Sequence, residues 1–342
     1  MATSRRARRA LPAFATAGAL AIAAAGTAQA RTAPGQVFAP NPVADLQLQS
    51  LTDQNDTDFF SADPALARAY HLVTLTNLDN SGALSGTYAK IVSETGRAAA
   101  DTGSGFIYTR DRDQFEQTMA YHWVTQAQLY IQSLGFGSTL PAVNARQQLV
   151  RINQYGGDNS FYRNGTNKLT ITFGKGGVDD AEDAEVIVHE YGHSVQDDQV
   201  PGFGSSLEAG SIGEGFSDYL AVEVAHAYAP TPDEACVADW DSTSYTATAP
   251  HCLRRVDSAK HYPESLRGEV HADGEIWSRA LWDIRTALGP RLADTIIIRA
   301  QFDFAPDTTM KAAAAATIKT AALYGTKAQR AVQGAFAARG LA

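Results

Sequence analysis

Basic residues are scarce in this chain, and cysteine is almost absent. Lys and Arg together number 28 against 37 Asp and Glu, a formal charge of −9. Binding to nucleic acid needs clustered positive charge opposite the phosphates, so that class of partner is excluded. The two cysteines, Cys236 and Cys252, lack the CxxC spacing of thiolate metal sites. In an exported chain a disulfide between them is expected, with a cysteine metal site as the weaker alternative. Long apolar runs are also missing, apart from residues 11–25, which fall short of the roughly 20 residues that span a bilayer. That run follows Arg5, Arg6, Arg8 and Arg9 and precedes Ala28-Gln29-Ala30. This is the layout of a secretory signal cleaved after Ala30. Ser4-Arg5-Arg6 leaves twin-arginine export open beside the general route. Cleavage removes four arginines and no acid, so the mature chain is more acidic still. It is expected to be secreted and free of the membrane.

What remains has an ordinary globular composition, 44% hydrophobic and 19% charged. Residues 1–30 are set aside as signal, 31–110 read as an extended and β-containing segment, and 111–342 as a catalytic domain. Residues 113–134 carry Phe115, Met119, His122, Tyr130, Ile131 and Leu134 at helical spacing and stop at Gly135, which predicts a long buried helix. Strands are predicted at 148–152, 160–163 and 169–173, the last two separated by Asn164-Gly165, a hairpin signal. Beyond Gly177 the pattern turns helical at 183–196, 212–228, 273–288, 308–324 and after Lys327. A long irregular loop over 229–267 carries both cysteines. The fold class is α+β.

His189-Glu190-Tyr191-Gly192-His193 is an HExxH pattern. Positions i and i+4 stack on one helix face, so the two imidazoles can share one Zn²⁺ ion while Glu190 reaches a water beside it. The alternative is a surface helix with two solvated histidines. Gly192 weakens the helix by roughly 1 kcal/mol against Ala, which suggests close packing there. A catalytic zinc takes three protein ligands and keeps one position open. Gly213-Glu214-Gly215-Phe216-Ser217-Asp218 supplies the third in Glu214, with Asp218 at i+4 placed to accept the free ring N–H of a ligand histidine. The competing reading makes Ser211 and Glu214 a capping box and Asp218 an exposed helix acid. Further on, Val270-His271-Ala272-Asp273-Gly274-Glu275-Ile276-Trp277 places His271 before an amphipathic helix, where its N–H can stabilise an oxyanion.

These three pieces, HEYGH, GEGFSD and VHADGEIW in this order, resemble the thermolysin-like metallopeptidases, and within them the fungalysin family. The helix with AYHWVTQAQLYIQSLGF and the Asp158-Asn159-Ser160-Phe161-Tyr162 stretch carry the same resemblance. It implies a two-lobed α+β fold, with a β-containing N-terminal lobe, a helical C-terminal lobe and the zinc site between them. It implies a zinc metalloendopeptidase acting on protein or peptide substrates. His189, His193 and Glu214 would be ligands, Glu190 the general base, Asp218 their support, His271 the oxyanion donor, and Asn159 a substrate contact beside an edge strand. Glu185 stands where the family usually has Asp. The substrate-gripping arginine is Arg254, Arg255 or Arg267 by neighbourhood. Structural calcium is common in such enzymes, and Asp179, Asp180, Asp183 and Glu185 are its candidates. About 80 residues separate the signal from the first matching helix, short for the family's propeptide plus a full lobe. A secreted but catalytically silent zinc-binding protein is therefore the alternative function, and a zinc hydrolase of non-peptide bonds a third.

Overall fold

The computed structural model describes residues 30–53, 65–93, 95–101, 103–163 and 169–342. The expected export signal and the Asn164-Gly165 turn lie outside the described residues. The chain enters as strand β1 (Arg31–Val37) and short helix α1 (Pro42–Leu46), whose Asn41 side chain accepts from the Ala44 N–H at its start. Strand β2 (His71–Leu78) returns antiparallel to β1. Strand β3 (Ala89–Ile91) then opens a second sheet.

Helix α2 (Asp113–Ser133) matches its prediction closely. Phe115, Met119 and Trp123 are at most 1% exposed, and polar residues such as Thr118, Thr125 and Gln128 are buried too. A helix packed on every side shows little one-sided patterning, and α2 is such a helix. The strands β4 (Gln148–Arg151), β5 (Ser160–Arg163) and β6 (Thr170–Phe173) complete a sheet ordered β3-β4-β6-β5. The first two pairings are parallel, and β5 runs antiparallel to β6. The predicted pairing of β5 with β6 is present, and β5 stands at the sheet edge.

The rest is helical. Helix α3 (Ala184–Gln199) starts at Asp183, whose carboxylate accepts from the Glu185 N–H. Helix α4 (Leu207–Tyr228) starts five residues before its predicted onset, capped by Ser206, which accepts from the Ala209 N–H. Ser211 therefore lies inside α4 and donates to the Leu207 carbonyl, so the capping-box reading of Ser211 and Glu214 fails. After two short paired strands, β7 (Cys236–Val237) and β8 (Arg254–Arg255), come α5 (Val270–Leu288), α6 (Pro290–Ala300), α7 (Met310–Ala322) and α8 (Thr326–Ala338). Helix α6 has no counterpart in the prediction, where Gly289-Pro290 reads as a stop. Pro at the first helical position favours a helix start instead, and Asp294 on α6 accepts from Tyr130 of α2 and Tyr219 of α4.

The molecule is a mixed α+β fold with a helical C-terminal part, consistent with a thermolysin-like peptidase. One apolar core runs through it, from Ala33 near the start to Leu341 near the end. The close packing expected at Gly192 is present: a Cβ there would lie 2.8 Å from Ser217 Cα on α4. Helices α4 and α5 approach closer still. A Cβ on Gly215 would meet the Gly274 carbonyl at 2.3 Å, and one on Gly274 would meet the Gly215 N at 3.1 Å. Overpacking of this kind costs about 1–3 kcal/mol and outweighs the roughly 1 kcal/mol that Ala gains over Gly in a helix. Gly215→Ala is thus expected to lower the unfolding free energy, read as a reduced denaturant midpoint.

Candidate active site

The helical segments converge on a cavity of about 360 Å³. Helix α3 contributes His189, Glu190 and His193, α4 contributes Glu214, and His271 stands at the start of α5. Every one of these was singled out from the sequence. The i, i+4 spacing brings the rings of His189 and His193 to a centroid distance of 4.9 Å. Glu214 Oε2 lies 3.2 Å from His189 Nε2, and its Oε1 lies 3.5 Å from His193 Nε2. Glu214 Oε2 is nevertheless buried with no aligned hydrogen bond. Two imidazole nitrogens and a carboxylate that converge within 3.5 Å are a donor set suited to Zn²⁺.

Behind this set lies a buried support. His189 Nδ1 is 2.8 Å from Asp218 Oδ1, the contact that fixes ring orientation in metal-binding histidines. Asp218 in turn accepts from Arg254 at 2.7 Å (Nε) and 2.8 Å (Nη2). Of the three arginines weighed from the sequence, Arg254 lines the cavity. Arg255 is held by Asp233 and Asp257 instead. Burial alone would raise the Asp218 carboxyl, but Arg254 and His189 overcome it and hold it down at about 2.

Burial pushes the Glu190 carboxyl up to about 7, with the Glu214 charge adding to the effect and His189 opposing it. Its Oε2 is buried and unpartnered. Burial opposes a proton on His189, yet Asp218 and Glu214 hold one there and raise its pKa to about 10. Burial instead lowers His193 to about 4. Glu214 is held below the usual carboxylate range by the histidines around it, against the effect of burial. The carboxylates that favour a proton on His189 favour any cation in its place, and metal entry there must displace that proton.

His271 is half exposed, its Nε2 3.5 Å from Glu214 Oε2. Its Nδ1 lies 2.6 Å from Glu269 Oε1, and the Glu269 carboxylate also accepts from the backbone N–H of His271 and Ala272. Glu269 thus caps α5 and orients the ring at once. Its place just ahead of a helix start is a signal that sequence reading could have used. Asn159, immediately before edge strand β5, lines the same cavity.

Cys236 and Cys252 form a disulfide, so the cysteine metal site is ruled out. The bridge closes residues 236–252, and Arg254 follows two residues later on β8. Cross-linking a loop this short stabilises by about 3 kcal/mol on the chain-entropy model. The Cys236→Ser, Cys252→Ser double variant is expected to lose about that much, measured by chemical unfolding. The four calcium candidates do not form one set. Asp183 caps α3 and accepts from the Trp240 and Asp241 N–H groups, Glu185 accepts from the Ala238 N–H, and Asp179 accepts from Asn153. Nothing in this arrangement supports calcium there.

No curated protein matches the chain. Residues 163–293 match the model of the fungalysin metallopeptidase family, M36, whose members depend on zinc. The matched segment includes His189, Glu190, His193, Glu214, Asp218, Arg254 and His271, and stops short of Asn159. Motifs, donor geometry and family match agree, and over this segment the chain is similar to the fungalysin metallopeptidases.

Proposed function

We propose that the chain is a secreted zinc-dependent metalloendopeptidase, with one Zn²⁺ ion on His189, His193 and Glu214. The observation that carries this reading is the placement of a buried Glu190, one carboxylate oxygen of which has no partner, in one cavity with that donor set. A zinc ion bound there supplies a Lewis acid for the scissile carbonyl and eases deprotonation of water. Glu190, with its pKa near neutrality, takes the proton from the attacking water and returns it to the leaving amine. His271, oriented by Glu269, turns Nε2 toward the oxyanion that forms. Asp218 keeps His189 in the ligating orientation, and Arg254 keeps Asp218 ionised. Asn159, at the sheet edge, contacts the substrate backbone. The disulfide fits export, and no helix among the described residues is long and apolar enough to cross a membrane.

The test is casein hydrolysis by the purified chain starting at Arg31, with zinc content measured in parallel. Chelation should abolish hydrolysis, and added zinc should restore it. Full zinc occupancy without hydrolysis would overturn the reading in favour of a silent zinc-binding protein.

A further inference from the structure

One end of the cavity carries charge that the peptidase chemistry does not use. Asp158, Asp180 and Asp241 bring carboxylate oxygens within 4.8 Å of one another. Asp180 and Asp241 are only 2% and 3% exposed and both line the cavity. The Oδ1 atom of each is buried with no hydrogen-bond partner. Ser160 donates to the other oxygen of Asp180, and the Tyr245 hydroxyl donates to Asp158 Oδ1 at 2.6 Å. Two buried acceptors are thus left over on residues that line the same cavity as Glu190.

The same cavity is also lined by the apolar side chains of Val186, Val237, Ala238 and Leu253. A cavity that combines apolar walls with buried carboxyl groups complements a side chain with an aliphatic stem and a cationic tip. A bare divalent ion would leave the apolar walls unused, and calcium takes six to eight oxygen ligands. Burial raises Asp180 to about 8, with the charges of Asp158 and Glu190 adding to the effect. Burial also raises Asp241, helped by Asp180, Asp183 and Asp158 and opposed by the charge of Arg254. A guest cation would relieve that crowding and let the acids ionise. Asp180, Asp241 and Glu190 all line one cavity.

We propose that Asp180 and Asp241, supported by Asp158, form a specificity subsite for the side chain of a Lys or Arg residue flanking the scissile bond. The proposal rests on the peptidase reading and names its substrate class.

The test is a set of matched peptides carrying Lys, Arg, Leu or Glu at each position flanking the cleaved bond, with kcat/KM measured for each. The zinc-loaded enzyme is expected to prefer Lys or Arg over Leu at one position by roughly tenfold or more. In Asp241→Asn, and separately in Asp180→Asn, that ratio should collapse toward one. Because the preference is read first in the unmodified enzyme, the test survives a variant that fails to fold. Cleavage of the Leu peptides at least as fast as the Lys peptides would overturn the subsite and leave the peptidase reading standing. Calcium raising the Tm of the unmodified enzyme but not of Asp241→Asn, with no such peptide preference, would overturn it in favour of an ion site. No cleavage of any peptide with zinc bound would sink the peptidase reading, and the subsite with it.

Discussion

Glu190→Gln is expected to retain zinc and lose about two to four decades of kcat on casein. The carboxamide keeps the size of the side chain and its place in the wall of the cavity. It cannot accept a proton at neutral pH, and proton transfer is the role assigned to Glu190. The burial that leaves Glu190 Oε2 unpartnered and lifts its pKa to about 7 also shields it from solvent bases that could substitute for it. Glu190 is not among the proposed zinc ligands, so metal content separates the two ways of losing activity. Zinc at one ion per chain together with a collapsed rate supports the general base. An unimpaired rate would refute the mechanism.

The second large effect is expected at the metal. Glu214→Ala removes one of three proposed ligands, and zinc should be lost on dialysis against a mild chelator, with activity lost alongside it. Asp218→Asn should weaken zinc binding by about 10- to 100-fold, the usual cost of removing a carboxylate behind a ligating histidine. It should lose less activity than Glu214→Ala when zinc is supplied in excess. The difference follows from geometry: Glu214 faces both histidines at 3.2 and 3.5 Å, whereas Asp218 meets His189 alone of the two, at Nδ1. Competition titrations with a zinc-responsive dye measure both. Equal zinc affinity in Asp218→Asn and the unmodified protein would remove Asp218 from the site.

The centre of the site was legible because its information is local. Helical spacing puts His189 and His193 on one face, and the same spacing relates Glu214 to Asp218. Helix α2 and the pairing of β5 with β6 were legible for a related reason, since each shows its own period. The start of α4 was misread because Ser211 fits a capping pattern, while Ser206 makes the real cap. Helix α6 was missed because Gly289-Pro290 ends one helix and begins the next. Arg254 could not be told from Arg255 without the loop that aims it. Asp241 and Tyr245 carry no pattern at all, because they reach the cavity through the tertiary course of residues 229–267.

The crossing of Gly215 and Gly274 has a consequence for how such a chain can vary. Gly215 follows the proposed ligand Glu214, and Gly274 lies one turn beyond His271. With backbone against backbone at that point, the two helices share a common reference that no side chain can enlarge. The spacing between the proposed ligand Glu214 and the proposed oxyanion donor His271 is therefore insulated from drift in the surrounding core. Substitutions that retune what the cleft accepts must accumulate in the loop that carries Asp241 and Arg254 and along edge strand β5, while the distance on which the chemistry depends stays constant.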